Sequence, residues 1–189
     1  GATAEAAPTS ARIRDVNRTT LLTLMTELGA EAVDLGLVRD DKDTLRAALV
    51  GALGRCDIVI SSGGVSMGSA DHIKPLLEEL GTVHFGRLNM KPGKPTTFAT
   101  CNAIDSTQEA LPTATRLMFG VPGNPVSCVV TARLLIEPTL RCFAGLPPHE
   151  CMHSQVDACL GATLKLDKER PEYHRAAVEW DAIQGRFLA

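Results

Sequence analysis

The sequence predicts an α/β fold of three layers, in which a mostly parallel sheet carries helices on both faces. Segments with helical periodicity alternate with short runs rich in β-branched residues. Each helical segment is long enough to cross over from one parallel strand to the next. With 44% hydrophobic and 22% charged residues, the 189-residue chain can bury a core of ordinary size.

The first half of the chain is predicted to alternate between helix and strand. Asn17 is a favoured capping residue and starts the first helix, after which residues 32–38 form a strand. Asp40 or Asp41 caps the second helix, and residues 56–60 then form a β-branched strand of the kind that fills a parallel sheet. The apolar stripes of these two helices are Leu21, Leu24, Met25 and Leu28, and Leu45, Ala48, Leu49, Ala52 and Leu53.

The pattern changes after a third helix, whose apolar residues recur at helical spacing until Gly81. Proline-bearing turns then separate three short strands, which are predicted at residues 82–90, 96–100 and 116–120. The polar stretch at residues 102–115 is predicted to be a loose, mobile loop.

The last helix of this fold starts at Asn124-Pro125, a capping residue followed by proline at the first helical position. It runs to about residue 141, and its nearly continuous apolar body predicts burial. Leu146-Pro147-Pro148 is the predicted boundary, because the sequence beyond it alternates without a helical period. The predicted units are residues 1–10 as a flexible tail, 11–148 as the α/β domain, and 149–189 as the truncated start of a β-rich domain.

Composition excludes several classes of function. A formal charge of −3 without any run of Lys or Arg argues against nucleic acid as the main partner. No apolar run approaches the roughly 18 residues of a membrane span, and no signal peptide is evident, which predicts a cytoplasmic protein. The six cysteines include no C-x-x-C pair and no matched histidine spacing, so we expect reduced, structural thiols rather than a zinc site.

The most informative motif is the glycine-rich loop at residues 61–71, Ser-Ser-Gly-Gly-Val-Ser-Met-Gly-Ser-Ala-Asp. It follows a predicted buried strand and precedes a helix, so it lies at the strand's carboxyl end, the edge where open α/β sheets bind ligands. Backbone N–H groups beside Gly63, Gly64 and Gly68 can approach a phosphate closely because no Cβ obstructs them. The loop therefore predicts an anion site.

Two further motifs offer positive charge. Arg87, Lys91 and Lys94 surround a Pro-Gly turn that can direct the lysines toward one oxyanion, although a solvated strand end would look the same. If Asn124 caps the last helix, the N–H of Ser127 is an unpaired donor near the positive end of the helix dipole. An ordinary strand-to-helix turn is the alternative for this second motif.

Asp40 and Asp71 both follow predicted strands of the same sheet. Aspartate is a preferred N-cap, so each has a plain structural explanation. Carboxylates beside bound phosphates also recruit Mg²⁺, which prefers oxygen ligands. We therefore expect Asp71 and Asp40 to be metal ligands at the sheet's carboxyl edge.

Three motifs, at residues 62–71, 90–95 and 122–127, together resemble the molybdenum insertases in order and spacing. That family comprises the E domain of gephyrin, its plant equivalents and the bacterial molybdopterin molybdotransferases. Residues 13–18 and 170–175 also resemble gephyrin, and the resemblance covers about residues 12–184.

The resemblance implies a transferase of molybdenum cofactor synthesis, which inserts molybdate into adenylylated molybdopterin and releases AMP with Mg²⁺ present. By position, Asp40, Asp71, Arg87 and Lys91 match its catalytic residues, with Asp71 beside the metal and pyrophosphate. Arg87 stands where bacterial relatives often have lysine. The residues expected to bind the substrates are Ser62, Gly63, Gly64, Ser66, Gly68, Lys94, Pro95, Asn124, Pro125, Ser127 and Arg175.

The resemblance also implies a homodimer with shared active sites and an adenylyltransferase partner domain. The family's Ser-Thr-Gly-x-Glu-Leu segment is expected just before Gly1, and most of its C-terminal β-barrel is expected after this sequence. We therefore expect the chain to hold the central pterin-binding domain and to be inactive alone.

Three other interpretations stay open at this stage. The sister molybdopterin adenylyltransferase shares the fold but has a Thr-Gly-Gly-Thr-Gly loop, where this chain has Val-Ser-Met-Gly at residues 65–68. A gephyrin-like scaffold would bind a receptor loop through segments that this sequence does not contain. A competence-damage-type relative would not explain the Lys-Pro-Gly-Lys and Pro-Gly-Asn-Pro motifs.

Overall fold

A computed structural model of the chain describes residues 14–64, 72–104 and 110–189, without the side chains of residues 104 and 110–113. The helices are α1 (Val16–Glu27), α2 (Lys42–Leu53), α3 (Ile73–Leu80), α4 (Pro125–Thr131), α5 (Glu137–Phe143) and α6 (Pro148–Cys151), and a π-helical turn (Ala132–Ile136) joins α4 to α5. The strands are β1 (Ile58–Ser62), β2 (Gly81–Phe85), β3 (Thr97–Ile104), β4 (Ala110–Val121), β5 (Ala158–Cys159), β6 (Glu179–Asp181) and β7 (Arg186–Leu188).

The larger sheet has the strand order β1-β4-β3-β2 within the described residues. β1 pairs with β4 in parallel, whereas β3 is antiparallel to both β4 and β2. The predicted α/β class is confirmed, but the described sheet is mixed, with one parallel and two antiparallel pairings, rather than mostly parallel as predicted. Only residues 105–109 separate β3 from β4, which is too short for the crossover that a parallel pair needs.

Helices cover both faces of this sheet because side chains alternate along its strands. Val59 of β1 and Met118 of β4 pack with α2 and α3 on one face. Phe119 and Val121 of β4 pack with α1 and α4 on the other. The predicted three layers are therefore confirmed, with one apolar core on each side of the sheet.

The predicted strand at residues 32–38 is not a strand in the structure. No described strand pairs with this segment to complete a hydrogen-bonded ladder, and four of its apolar side chains are exposed. Those side chains are Val33, Leu35, Leu37 and Val38. Residues 32–38 therefore have the alternating pattern of a strand but no neighbouring strand to pair with among the described residues.

The polar stretch at residues 102–115 is not a loop throughout, as the sequence analysis expected. β3 continues to Ile104 and β4 begins at Ala110, so the two strands pair through most of the stretch. Residues 105–109 lie outside the described residues. Pairing of β3 with the apolar part of β4 extends their hydrogen-bonded ladder into this polar stretch, although the composition of the stretch is typical of a turn.

The starts of α1, α2 and α4 follow capping chemistry, with one correction, whereas the N-cap of α3 is His72, which makes no side-chain capping hydrogen bond. Asp41 accepts the Thr44 N–H at 2.9 Å and caps α2, and Asn124 caps α4, as predicted. Asn17 does not start α1, because Asp15 caps it by accepting the Arg18 N–H at 3.1 Å. Asn17 instead lies in the first turn, where its side chain is free to bond elsewhere.

The C-terminal part contains α6 and a small sheet of strand order β5-β7-β6, described through residue 189. Trp180 and Phe187 meet across β6 and β7 with ring centroids 5.0 Å apart. The division at residue 148 stays a prediction. None of the described helices combines the length and apolar character that crossing a bilayer would require.

Gly81 allows β2 to approach β3 closely, and a substitution at this position tests that packing. A Cβ at this position would overlap the Thr100 carbonyl oxygen and lie 2.7 Å from Cys101 Cα. We expect Gly81→Ala to lower the free energy of unfolding by roughly 1–3 kcal/mol in urea titrations, because both obstacles are backbone atoms. Gly51→Ala in α2 is the control: apart from its chain neighbours and the nearby backbone of its own helix, no described atom lies within 4 Å of the added Cβ, so a neutral or slightly stabilising effect is expected. Equal effects of the two substitutions would contradict this packing.

Candidate functional site

The parallel pairing of β1 and β4 brings two predicted anion-binding turns together. Ser62 is opposite Val121 at the carboxyl ends of the two strands. The Gly63 N–H donates to the Val121 carbonyl at 3.1 Å. A Cβ at Gly123 would lie 3.6 Å from Gly63 Cα, so the turns are in van der Waals contact. The described start of the glycine-rich loop and the start of α4 therefore occupy one edge of the sheet.

Gly63 and Gly64 both have positive φ, of 86° and 69°. This left-handed conformation favours glycine and lets the chain leave β1 in a tight turn. Ser66, Gly68 and Asp71 lie outside the described residues, so their predicted roles stay predictions.

Asn17 joins these two turns, and the sequence analysis missed it. Its Nδ2 donates to Ser62 Oγ at 2.6 Å and to the Gly123 carbonyl at 2.9 Å, and the residue is 7% exposed. A signal was present: Asn17 continues the buried stripe of Leu21 and Leu24 at helical spacing. A buried polar side chain in an apolar stripe requires hydrogen-bond partners, and here the partners are the two turns.

The start of α4 has fewer free donors than predicted. The Ser127 N–H donates to Asn124 Oδ1 at 3.1 Å, so the expectation that it is unpaired is wrong. The Ser127 hydroxyl lies 3.3 Å from the same oxygen. Pro125 has no N–H, which leaves Val126 as the first-turn residue whose N–H can meet an anion.

The Lys91–Pro95 turn lies at the same edge, because β3 is antiparallel to β4. Thr97 begins β3 opposite Gly120, close to the carboxyl end of β4. The Thr96 hydroxyl donates to the Gly93 carbonyl at 2.6 Å, and a Cβ at Gly93 would lie 3.0 Å from Thr131 Oγ1. The turn therefore packs against α4, and the second motif joins the first and third.

Lys91 is held by a segment of the C-terminal part. Its N–H donates to the Pro171 carbonyl at 2.9 Å, and its carbonyl accepts the Tyr173 N–H at 2.7 Å. Its Nζ lies 2.5 Å from Glu172 Oε1 and 4.0 Å from Asp167 Oδ2. This attachment brings the chain to within two residues of Arg175, although no contact of Arg175 with the turn is observed among the described residues.

Glu172 is a second residue that the sequence analysis missed. Its side chain is 4% exposed, and Oε2 lies 2.7 Å from His174 Nε2. Hydrogen bonds from Lys91 and then from His174 lower the pKa of this carboxyl group. Glu172 is therefore a fixed anion that restrains the position of Lys91 Nζ.

The remaining predicted cations have different surroundings. Lys94, Arg87 and Arg175 are exposed, and none forms an ion pair with a described residue. β2 ends at Phe85 rather than near residue 90 as predicted, so Arg87 and Lys91 both lie beyond the end of this strand. Lys94 and Pro95 belong to the Lys91–Pro95 turn. Arg87 lies in the segment between β2 and this turn.

The predicted metal ligands are only partly described. Asp40 is exposed and directly precedes Asp41, the cap of α2. Hydrogen bonds from Thr44 chiefly lower the pKa of Asp41, with smaller contributions from the charges of Arg39 and His72. Among the described residues, no group of three or more His, Cys, Asp or Glu is placed to hold a metal ion.

Comparison with known proteins identifies the family. A family model described as a probable molybdopterin binding domain matches residues 4–142. The chain belongs to this family. Within it, gephyrin of Dictyostelium discoideum is 42% identical over 94% of this chain and 27% of its own length. The molybdopterin molybdenumtransferase of Haemophilus influenzae is 37% identical over 74% of the chain and 33% of its own length.

A solved structure of the molybdopterin-binding family supports the fold. The molybdopterin biosynthesis MoeA protein of Pyrococcus horikosii aligns with a TM-score of 0.57 and 32% identity. The alignment covers 74% of this chain and 32% of that protein. The chain thus spans about a third or less of these relatives.

A double-mutant cycle tests the hydrogen bond that joins the two turns. We expect Asn17→Ala and Ser62→Ala to show a coupling energy of about 0.5–3 kcal/mol in urea unfolding, because the two side chains share one short hydrogen bond. Pairing Asn17→Ala with Thr26→Ala, nine residues further along α1, is the control and should be additive. Additivity of both pairs would contradict the contact.

The stability contributed by Glu172 should depend on pH. Because its folded-state pKa is lowered, the stabilisation is present above the unfolded value of about 4.3 and is lost as pH falls through the folded value. We expect the stability difference between the parent and Glu172→Gln to be largest near neutral pH and to shrink below about pH 4. Urea titrations from pH 7 to 3 measure it. In a Lys91→Met background the difference should depend less on pH, and an unchanged dependence would contradict the assigned cause.

Proposed function

We propose that the protein carrying this chain inserts molybdate into adenylylated molybdopterin and releases AMP. The observation that carries the proposal is the meeting of three motifs at one sheet edge: the turn after β1, the turn before β3 and the start of α4. Curated relatives that align with most of this chain are named molybdopterin molybdenumtransferases. Because the chain spans a minor part of them, the complete reaction is a proposal.

The geometry suits substrates that are anions. Molybdate is a dianion, and the adenylylated pterin carries a phosphoanhydride. Gly63 and Gly64 allow the backbone to approach a phosphate, and Lys94 supplies an exposed cation without a competing carboxylate among the described residues. Lys91, fixed by Glu172, supplies a second cation of defined position. The residues therefore bind and orient the anions, and no nucleophile from the protein is required.

We further propose that Mg²⁺ takes part, held by Asp71 and Asp40 together with substrate phosphate oxygens. Carboxylate and phosphate oxygens are the ligands that Mg²⁺ prefers, and two protein carboxylates are a common share of its coordination. When bound, the metal would neutralise negative charge on the phosphoanhydride oxygens as AMP leaves.

Several expectations about the whole protein stay predictions. They are a homodimer, an adenylyltransferase partner domain, binding of a receptor loop and a cytoplasmic location. The adenylyltransferase interpretation has less support than molybdate insertion, because the aligned bacterial relatives carry the molybdenumtransferase name.

The proposal is tested by release of AMP from adenylylated molybdopterin, assayed with the protein in its natural full length. We expect release to require both molybdate and Mg²⁺, and to yield molybdopterin that carries molybdenum. Formation of adenylylated molybdopterin from ATP and molybdopterin, without molybdate-dependent release, would favour the adenylyltransferase instead.

We expect Lys94→Ala to lower enzymatic activity without lowering the melting temperature. Losing one charge-assisted contact costs about 1.5–3 kcal/mol, so we expect molybdate-dependent turnover to fall roughly 10- to 150-fold. The melting temperature should stay unchanged because the side chain is exposed and forms no ion pair with a described residue. Arg55→Ala removes an exposed cation near the amino end of β1 and is the matched control. Full activity in Lys94→Ala would leave this lysine a solvated surface residue.

A further inference from the structure

Two cysteines outside the candidate site lie close together at the end of the α/β fold. Cys142 is in the last turn of α5, and Cys151 is the last residue of α6. Their sulfur atoms are 3.0 Å apart, with the Cys142 thiol donating a hydrogen bond to Cys151 Sγ. Cys142 is exposed, whereas Cys151 is 2% exposed. The pair therefore joins an accessible thiol to a buried one.

The backbone between the two cysteines is well ordered by hydrogen bonds. The N–H groups of Gly145 and Leu146 donate to the Cys142 and Arg141 carbonyls at 3.0 and 3.1 Å, which closes the end of α5. Gly145 has the positive φ of 85° that this ending requires. The Cys151 N–H donates to the Pro147 carbonyl at 3.2 Å. The turn thus returns Cys151 to the side of α5 that carries Cys142.

The buried carboxylate of Glu137 also stabilises the connection between α5 and α6. Glu137 is 3% exposed and accepts hydrogen bonds from Arg133 at 2.9 Å and Arg141 at 2.6 Å. Arg141 NH1 also lies 3.4 Å from the carbonyls of Cys151 and Met152. Because Arg141 is one residue from Cys142, this network holds the two ends of the thiol pair together.

We propose that Cys142 and Cys151 are a thiol–disulfide exchange site, which a low-molecular-weight disulfide such as oxidised glutathione converts reversibly to an intramolecular disulfide. Cys142, as thiolate, attacks one sulfur of the oxidant, which releases one glutathione thiol and leaves a mixed disulfide. Cys151 then attacks Cys142 Sγ and releases the second glutathione. Two protein thiols are oxidised, their two protons end on the two leaving glutathione thiolates, and one glutathione disulfide is reduced to two thiols.

The surroundings of the two thiols fix the order of these steps. Hydrogen bonding with Cys142, followed by burial, raises the pKa of Cys151 to about 11, so it stays protonated at neutral pH. The exposed Cys142 therefore meets the oxidant first.

The other cysteines lack this arrangement. Cys101 and Cys128 are buried, and burial raises the pKa of both thiols. Cys159 is exposed, but no thiol of the described chain lies within hydrogen-bonding distance of it. Cys159 is therefore the natural control for simple surface reactivity.

The disulfide would link α6 to α5, immediately before the chain enters the smaller sheet. Closing this short loop restricts the unfolded chain, and the sulfurs need to approach by only about 1 Å to reach a bond of roughly 2.05 Å. We therefore expect the oxidised chain to melt at a higher temperature than the reduced chain, and reduction to reverse the shift.

The test equilibrates the 189-residue chain with mixtures of oxidised and reduced glutathione, followed by acid quenching, intact mass measurement and peptide mapping. We expect a species that has lost two hydrogens and contains a peptide linking Cys142 to Cys151. Cys142→Ser should abolish this species and leave the melting temperature of the reduced chain unchanged. Cys159→Ser should retain it.

Two results would overturn the proposal. One is a lasting mixed disulfide on Cys142 with Cys151 still a free thiol across the whole range of mixtures. The other is a species lacking two hydrogens that persists in Cys142→Ser, since the oxidised pair would then lie elsewhere.

Discussion

The parallel pairing of β1 with β4 is the constraint on which the candidate site depends. Both strands end at the same edge, so the turns that follow them are in contact at Gly63 and Gly123. Asn17 fixes that contact by donating to Ser62 and to the second turn. Because β3 runs antiparallel to β4, its beginning lies at this edge as well, which brings in the Lys91–Pro95 turn. Motifs far apart in sequence thus meet at one edge of the sheet, and that is the edge at which open α/β sheets bind ligands.

Charge at this edge is arranged by contacts between the two parts of the chain. Lys91 bonds through its backbone to Pro171 and Tyr173, and through its side chain to Glu172. A buried carboxylate weakens the attraction of a lysine for anions but also fixes where the ammonium group lies. Lys94 has no such partner among the described residues and keeps its charge available. The edge therefore offers one positioned and one free cation, which suits a substrate with two anionic groups.

The sequence predicted features that depend on local chemistry. Capping by Asp41 and Asn124 follows from the residues themselves, and alternation along the strands gave helices on both sheet faces. Features that depend on distant partners were missed. Residues 32–38 alternate like a strand but have no described neighbour to pair with. Glu172 meets Lys91 only through the path of the folded chain, and no local pattern marks that contact.

The most direct test of this candidate site is a map of backbone amide chemical shifts while AMP and molybdate are titrated into the isotope-labelled chain. We expect the largest changes at Gly63, Gly64, Lys94 and Val126, the described residues where the three motifs meet the sheet edge. Changes concentrated at the amino end of β1, beside Asp57 and its partner Arg116, would contradict it.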